Sequence, residues 1–255
     1  MKKIFVPTAN TDRFYGALSV LEQRGAEEAC LIVVDGLPGL GKTETVQHFA
    51  AQTGSIYLRA KVGWKANWFL SDLLEELQIQ PEHGVQKRFK QAVAALSMAM
   101  EKAEIEDRQF ALIVDEIDHI SRNLKVLETI RDLSDLLEIP TILVGMGKIR
   151  DRLKAYPQIA SRVAQKVEFA PASIEDIRLL ADGLCDVRIA DDLSAFLHAQ
   201  SKGFAREIKE GLASIERFGR RNQMKEVTLE AMSGQMLMHD RASGAAVKVR
   251  EREVA

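Results

Sequence analysis

The residues whose types and spacing could do chemistry begin with Gly36-Leu37-Pro38-Gly39-Leu40-Gly41-Lys42-Thr43. This run matches G-x-x-x-x-G-K-[ST] at every fixed position. Glycines in such a loop let backbone N–H groups turn inward around phosphate oxygens. A helix opening at its end adds a favourable dipole. Lys42 supplies a cation for the β- and γ-phosphates of ATP, and the Thr43 hydroxyl suits Mg2+. Glu44 completes the loop-side set expected to hold the nucleotide. A second constellation is Asp115-Glu116, which ends the apolar run Ala-Leu-Ile-Val. Acids at the C-terminal end of a buried strand stand where ligands collect in open α/β sheets. Asp115 would share the Mg2+ with Thr43, and Glu116 would polarise a water for attack on the γ-phosphate. An acidic pair at that point favours hydrolysis over transfer to a small acceptor.

Those groups need strands and helices in a fixed alternation, and the chain supplies them. Residues 30–35 (CLIVVD) form a continuous apolar run, as expected of a strand covered on both faces. Further strands are expected at 55–60, 109–114 and 140–145, with a weaker one at 166–169. Helical patterns fall at Lys42 to about Gln52, 66–79, 85–105, 123–138 and 147–156. Strands alternating with helices imply a parallel sheet. From Ser173 the pattern turns helical, near 173–183, 190–200, 203–218 and 228–238, and Ser173 with Asp176 has the form of a capping box. The expected domains are therefore an α/β domain over 1–170 and an all-α lid over 171–239. A flexible charged tail is expected over 240–255.

Composition limits the classes. The 255 residues are 46% apolar and 28% charged, ordinary for a globular chain. No apolar run approaches the roughly 20 residues that cross a bilayer, so no membrane partner is expected. The first ten residues lack the apolar core of a secretory signal. Cys30 and Cys185 read as reduced buried thiols of a cytoplasmic protein, and the five His show no ligand spacing. A formal charge of −2 gives no global signature of a nucleic-acid binder, although a local basic patch can suffice.

The phosphate loop, the Asp-Glu strand end, a fourth strand and a helical C-terminal region, in that order, resemble an AAA+ ATPase. The resemblance implies further roles. The fourth strand would end in a polar residue near the γ-phosphate, but Met146 falls there and cannot donate a hydrogen bond; Lys148 is a substitute. Arg162, just before the fifth strand, takes the place of an arginine finger reaching a neighbouring subunit, with Arg152 and Arg150 as weaker candidates. Arg206, in Gly-Phe-Ala-Arg-Glu-Ile, takes the place of a lid arginine that contacts phosphate. Within the family, Phe5-Val6-Pro7-Thr8, IVDEIDHI, ILVGM and Ser173-Ile174-Glu175-Asp176 are similar to the transposition-regulator branch, of the Mu transposition protein B and TnsC type. That branch implies double-stranded DNA, a transposase and further copies of the chain as partners, in a bacterial host's cytoplasm. The helix-turn-helix domain of Mu B has no counterpart here, so DNA contacts would come from the ATPase core.

The segment best suited to DNA is Tyr57-Leu58-Arg59-Ala60-Lys61-Val62-Gly63-Trp64-Lys65, with Lys87 and Arg88 downstream. Arg59, Lys61 and Lys65 would neutralise phosphates without reading sequence, assisted by Lys87 and Arg88. Asp72, Glu75, Glu76 and Glu82 lie close by, so the same segment also reads as a solvated face. Trp64 and Trp68 suggest a packing pair at a helix entry. The expected function is an ATPase that assembles on DNA in its ATP state and delivers target DNA to a transposase. Two alternatives stay open: a remodelling or loading ATPase without DNA contact, and a nucleotide-gated module with negligible turnover.

Overall fold

The computed structural model describes residues 1–22, 25, 29–147 and 149–250. Lys148 therefore lies outside the described residues, as do the last five of the tail. The first half runs α1 (Ala9–Glu22), β1 (Leu31–Asp35), α2 (Lys42–Thr53), β2 (Ile56–Arg59), α3 (Ala66–Glu76), α4 (Val85–Ile105) and β3 (Leu112–Asp115). A 3-10 turn (Ile117–His119) leads to α5 (Leu124–Leu137), β4 (Thr141–Val144), α6 (Ile149–Lys154), α7 (Pro157–Ala160) and β5 (Val163–Glu168). The remainder is α8 (Ile174–Leu184), β6 (Arg188–Ile189), α9 (Asp191–Ser201), α10 (Ala205–Arg221), β7 (Glu226–Val227), β8 (Met236–His239) and β9 (Ala246–Lys248).

The chain divides into two compact units. One comprises Arg13–Pro38 and Lys42–Phe169; the other comprises Met1–Asp12, Gly39–Gly41 and Ala170–Ala255. In the first, β1 to β5 form a sheet in the order β2-β3-β4-β1-β5 with every pairing parallel. The central strands LIVVD, LIVD and TILV are buried on both faces, which is why they read as continuous apolar runs. Helices α3, α4 and α5 cover one face through Phe69, Leu70, Leu73, Leu96, Leu127 and Ile130. This is the five-stranded parallel sheet flanked by helices that the sequence leads one to expect. Helix α1 was not read from the sequence, although Phe14, Ala17, Leu18 and Leu21 carry helical spacing and are all buried.

The second unit has its own core, built from Ile177, Leu180, Leu184, Leu193, Leu197, Ile208, Leu212 and Ile215. Ser173 and Asp176 close the capping box on α8 as expected. The N-terminal residues belong here rather than to the sheet: Lys2 N donates to Leu184 O at 2.7 Å and Ala9 N to Asp176 Oδ1 at 2.8 Å. The lid is also not all helix. The helix expected over 228–238 does not form: residues 229–234 are turns, and the φ of Gly234, +75°, is left-handed. Gly234 N then donates to Val249 O at 2.9 Å, and β8 pairs antiparallel with β9. Residues 240–250 are thus part of a hairpin, and not the free tail that an aperiodic composition suggested. Its turn is held by Asp240, whose carboxylate accepts from Ala242 N, Ser243 N and Ser243 Oγ. Among the described residues no helix is long and apolar enough to cross a membrane.

Candidate active site

The loop after β1 turns back at Gly36, with φ of +144°. A Cβ there would come within 2.7 Å of Phe169 O on the neighbouring β5 side, so only glycine fits. Gly41 takes φ of +91° just before α2 begins at Lys42. Lys42 is buried, and its Nζ donates to Gly36 O at 2.7 Å and Leu37 O at 2.9 Å. Burial lowers its pKa, against the opposing charges of Asp35, Asp115 and Asp118. The ammonium is therefore tethered to the loop itself and surrounded by acids.

Asp115 is 3% exposed, at the end of β3. Its Oδ2 accepts from Thr43 Oγ1 at 2.7 Å and from Tyr57 Oη at 2.9 Å, and its Oδ1 from Glu116 N at 2.7 Å. A threonine hydroxyl that gives its proton to a carboxylate keeps its lone pairs for a cation, so the pair fits the Mg2+ expected at this loop. Glu116 follows in the left-handed region, φ 54° and ψ 38°, a costly conformation for a residue with a Cβ. Its Oε1 meets Arg59 Nη2 at 2.5 Å, and its Oε2 lies 3.7 Å from His119 Nδ1. The hydrogen bond from Arg59 holds the Glu116 carboxyl below the usual range, with burial opposing. The expected base is thus ionised and engaged by an arginine that had been read only as a DNA contact.

Residues 25–153, just over half of the chain, match the family described as AAA domain. The chain belongs to the AAA domain family. Membership carries ATP binding and hydrolysis in general, with Mg2+ the usual ion. The chain is 26% identical over 184 residues to the Mu-like prophage FluMu DNA transposition protein B of Haemophilus influenzae, covering 69% of this chain and 60% of that one. It is 25% identical over 158 residues to the ATP-dependent target DNA activator B of Escherichia phage Mu, covering 60% and 48%. It therefore spans less than two thirds of either relative. These two relatives bear out the resemblance to the transposition-regulator branch.

Solved structures give the same fold. The Aeropyrum pernix ORC1 protein in complex with DNA aligns with a TM-score of 0.57 at 17% identity, over 89% of this chain and 63% of that one. Cdc6p of Pyrobaculum aerophilum gives 0.60 at 16%, over 91% and 68%. The RuvB Holliday junction branch migration motor of Thermotoga maritima gives 0.55 at 18%, over 88% and 66%.

The arginines outside the phosphate loop sit in more varied settings. Arg162 is about one third exposed, and its Nε donates to both oxygens of Asp135 on α5, at 2.9 and 3.1 Å. Arg152 reaches Asp118 Oδ1 at 3.1 Å and Ser121 Oγ at 3.3 Å. Asp118 Oδ2 also accepts from Met146 N at 2.6 Å, so the end of β4 is fixed through its backbone. Arg206 is exposed in the first turn of α10, and its N–H points at Gly39 O, 3.4 Å away within the same unit. Arg241, which was assigned no role from sequence, lies over the Phe204 ring at 4.4 Å and pairs with Glu207 at 3.9 Å.

The candidate DNA residues separate into two groups. Arg59, Lys61 and Lys65 are exposed around the β2–α3 loop. Lys61 pairs with Asp72 at 2.6 Å, whereas Lys65 has no ion-pair partner among the described residues. Trp64 anchors the loop: it is 2% exposed, donates to Asp72 at 2.7 Å and packs edge-on against Phe69. Trp68 is exposed and lies against Gly63, so the two tryptophans do not form the expected pair. Lys87 pairs with Glu82 at 3.3 Å. Arg88 donates to Glu82 O and Asn67 O, tying the start of α4 to α3. Neither Cys30 nor Cys185 is in a disulfide, and both are buried; burial pushes the Cys185 thiol up to about 12.

Sequence reading missed Tyr57, Asp118 and Asp135 as partners of site residues. The available signal was strand alternation: Tyr57 and Arg59 are two apart on β2 and share a face. Arg59 is in register with Asp115 across β2 and β3.

Proposed function

We propose that this ATPase binds double-stranded DNA without sequence preference in its ATP state, oligomerises on it and delivers it as target to a transposase. The carrying observation is the Arg59–Glu116 contact of 2.5 Å, because the same arginine opens the exposed basic loop. A phosphate group drawn to Arg59 competes with Glu116 for the guanidinium. Release of Glu116 frees the base that orients the attacking water, so DNA on the loop raises turnover. The names of the relatives, a DNA transposition protein and a target DNA activator, support the same reading.

The geometry supports the following roles. Lys42 and the loop from Gly36 to Thr43 hold the phosphates, and Thr43 with Asp115 holds the Mg2+. The ion supplies charge neutralisation for the transferred phosphoryl group. Arg162 is the proposed finger toward an adjacent copy, leaving Asp135 when subunits meet, and Arg206 the lid arginine. One subunit offers few cations, so useful affinity requires many subunits side by side. Loss of the γ-phosphate then weakens the interface and the protein leaves.

One observation favours the reading without DNA. Lys61 and Lys87 are already neutralised by Asp72 and Glu82. Fluorescence anisotropy of a labelled random-sequence duplex separates the two, with ATP, ADP or no nucleotide, at low and moderate salt. Binding that needs ATP and falls steeply with salt supports the DNA reading. Absence of binding in every state overturns it in favour of protein remodelling.

A further inference from the structure

Strand β2 touches both acids of the site: Arg59 engages Glu116, and two residues earlier Tyr57 donates to Asp115 Oδ2 at 2.9 Å. We propose that Tyr57 is a positioning residue for the divalent cation, holding the Asp115 carboxylate in the orientation in which Asp115 and Thr43 share the ion. This rests on the ATPase reading of the site and goes beyond it, because no feature of the phosphate loop calls for a phenol on the neighbouring strand.

The Asp115 carboxylate is 3% exposed, so bulk water does not orient it. Oδ1 is fixed by the backbone N–H of Glu116. Oδ2 receives two side-chain donors, Thr43 Oγ1 and Tyr57 Oη. Thr43 serves the ion directly and must keep its lone pairs turned toward it. Tyr57 has no such duty, and its single proton is given to the carboxylate. A carboxylate oxygen only accepts, so across the 2.9 Å contact the phenol is the donor. Partners that hold a metal-binding carboxylate commonly change metal affinity by roughly 10–100-fold. Tyr57 shares its oxygen with Thr43, which sets the expectation at the lower end, roughly tenfold.

The test uses the full chain with Tyr57→Phe, which keeps the ring and removes only the hydroxyl. Binding of a fluorescent ATP analogue is titrated with Mg2+ and repeated in EDTA. Bound Mn2+ is followed by electron paramagnetic resonance in the presence of ATP. The expected result is a rise of roughly tenfold in the Mg2+ and Mn2+ midpoints, with nucleotide binding in EDTA unchanged. In an Asp115→Asn background the same substitution produces no further shift, because Tyr57 acts through that carboxylate. Equal midpoints for Tyr57→Phe and the wild type overturn the proposal. An equal loss of binding with and without the ion also overturns it, and makes Tyr57 a packing residue. A wild-type chain whose nucleotide binding ignores Mg2+ overturns the metal site itself, an outcome distinct from either.

Discussion

Arg59→Ala is the substitution that most directly probes how the site is restrained. In the structure Arg59 is largely exposed and Glu116 partly so, and their contact is 2.5 Å. An exposed ion pair of this kind is formed from about as often as broken to roughly five times as often. If the engaged carboxylate cannot orient water, freeing it raises basal ATPase turnover by roughly two- to sixfold. The same factor bounds what DNA can add by this route, so stimulation at saturating DNA shrinks by the factor that the basal rate gains. A second signature is independent of DNA. The Arg59 hydrogen bond is the largest cause of the low Glu116 pKa. Turnover that needs ionised Glu116 is present above that pKa and lost as pH falls through it. Removing Arg59 raises the pKa, so the acid limb of the kcat profile moves to higher pH. The assay is steady-state phosphate release from pH 4.5 to 8, with and without a saturating duplex. A basal rate that falls while the acid limb stays in place would falsify the restraint.

The remaining expectations address the other parts. Glu116→Gln lowers turnover by roughly 10²–10⁴-fold, while ATP-dependent DNA binding persists longer than in the wild type; phosphate release and duplex dissociation rates read both. Replacing Lys61 and Lys65 together by Ala makes the dependence of log affinity on log salt shallower by roughly 1–2, and an unchanged slope shows that DNA lies elsewhere. Trp64→Phe removes the hydrogen bond to Asp72 and costs about 1.5–3 kcal/mol in urea unfolding, because the acceptor is ionised. Arg162→Ala lowers turnover of the assembled protein and leaves nucleotide affinity intact; if Asp135→Asn reproduces the whole effect, Arg162 is a brace between β5 and α5.

The parts legible in the sequence are those where local chemistry forces a pattern. Gly36 is demanded by one backbone position, and the apolar runs of β1, β3 and β4 by burial on both faces. Asp115 and Glu116 were legible because acids cannot continue a buried strand without a purpose at its end. What failed depends on partners distant in sequence. β8 becomes a strand because Ala246–Lys248 comes back to pair with it, and a window over 228–238 contains none of that information. The charges failed in the same way. Lys61, Lys87, Arg88 and Arg162 were read as cations for DNA or a neighbouring subunit, yet each has a partner between five and 27 positions away; Asp72 and Glu82 were visible as nearby acids, but which cation each would hold was not. Arg59 is the instructive case: one charge count assigned it to DNA, whereas strand register sets it beside Asp115 and within reach of Glu116. Parallel pairing of β2 with β3 is thus what turns a basic loop and an acidic strand end, 57 residues apart, into a single device.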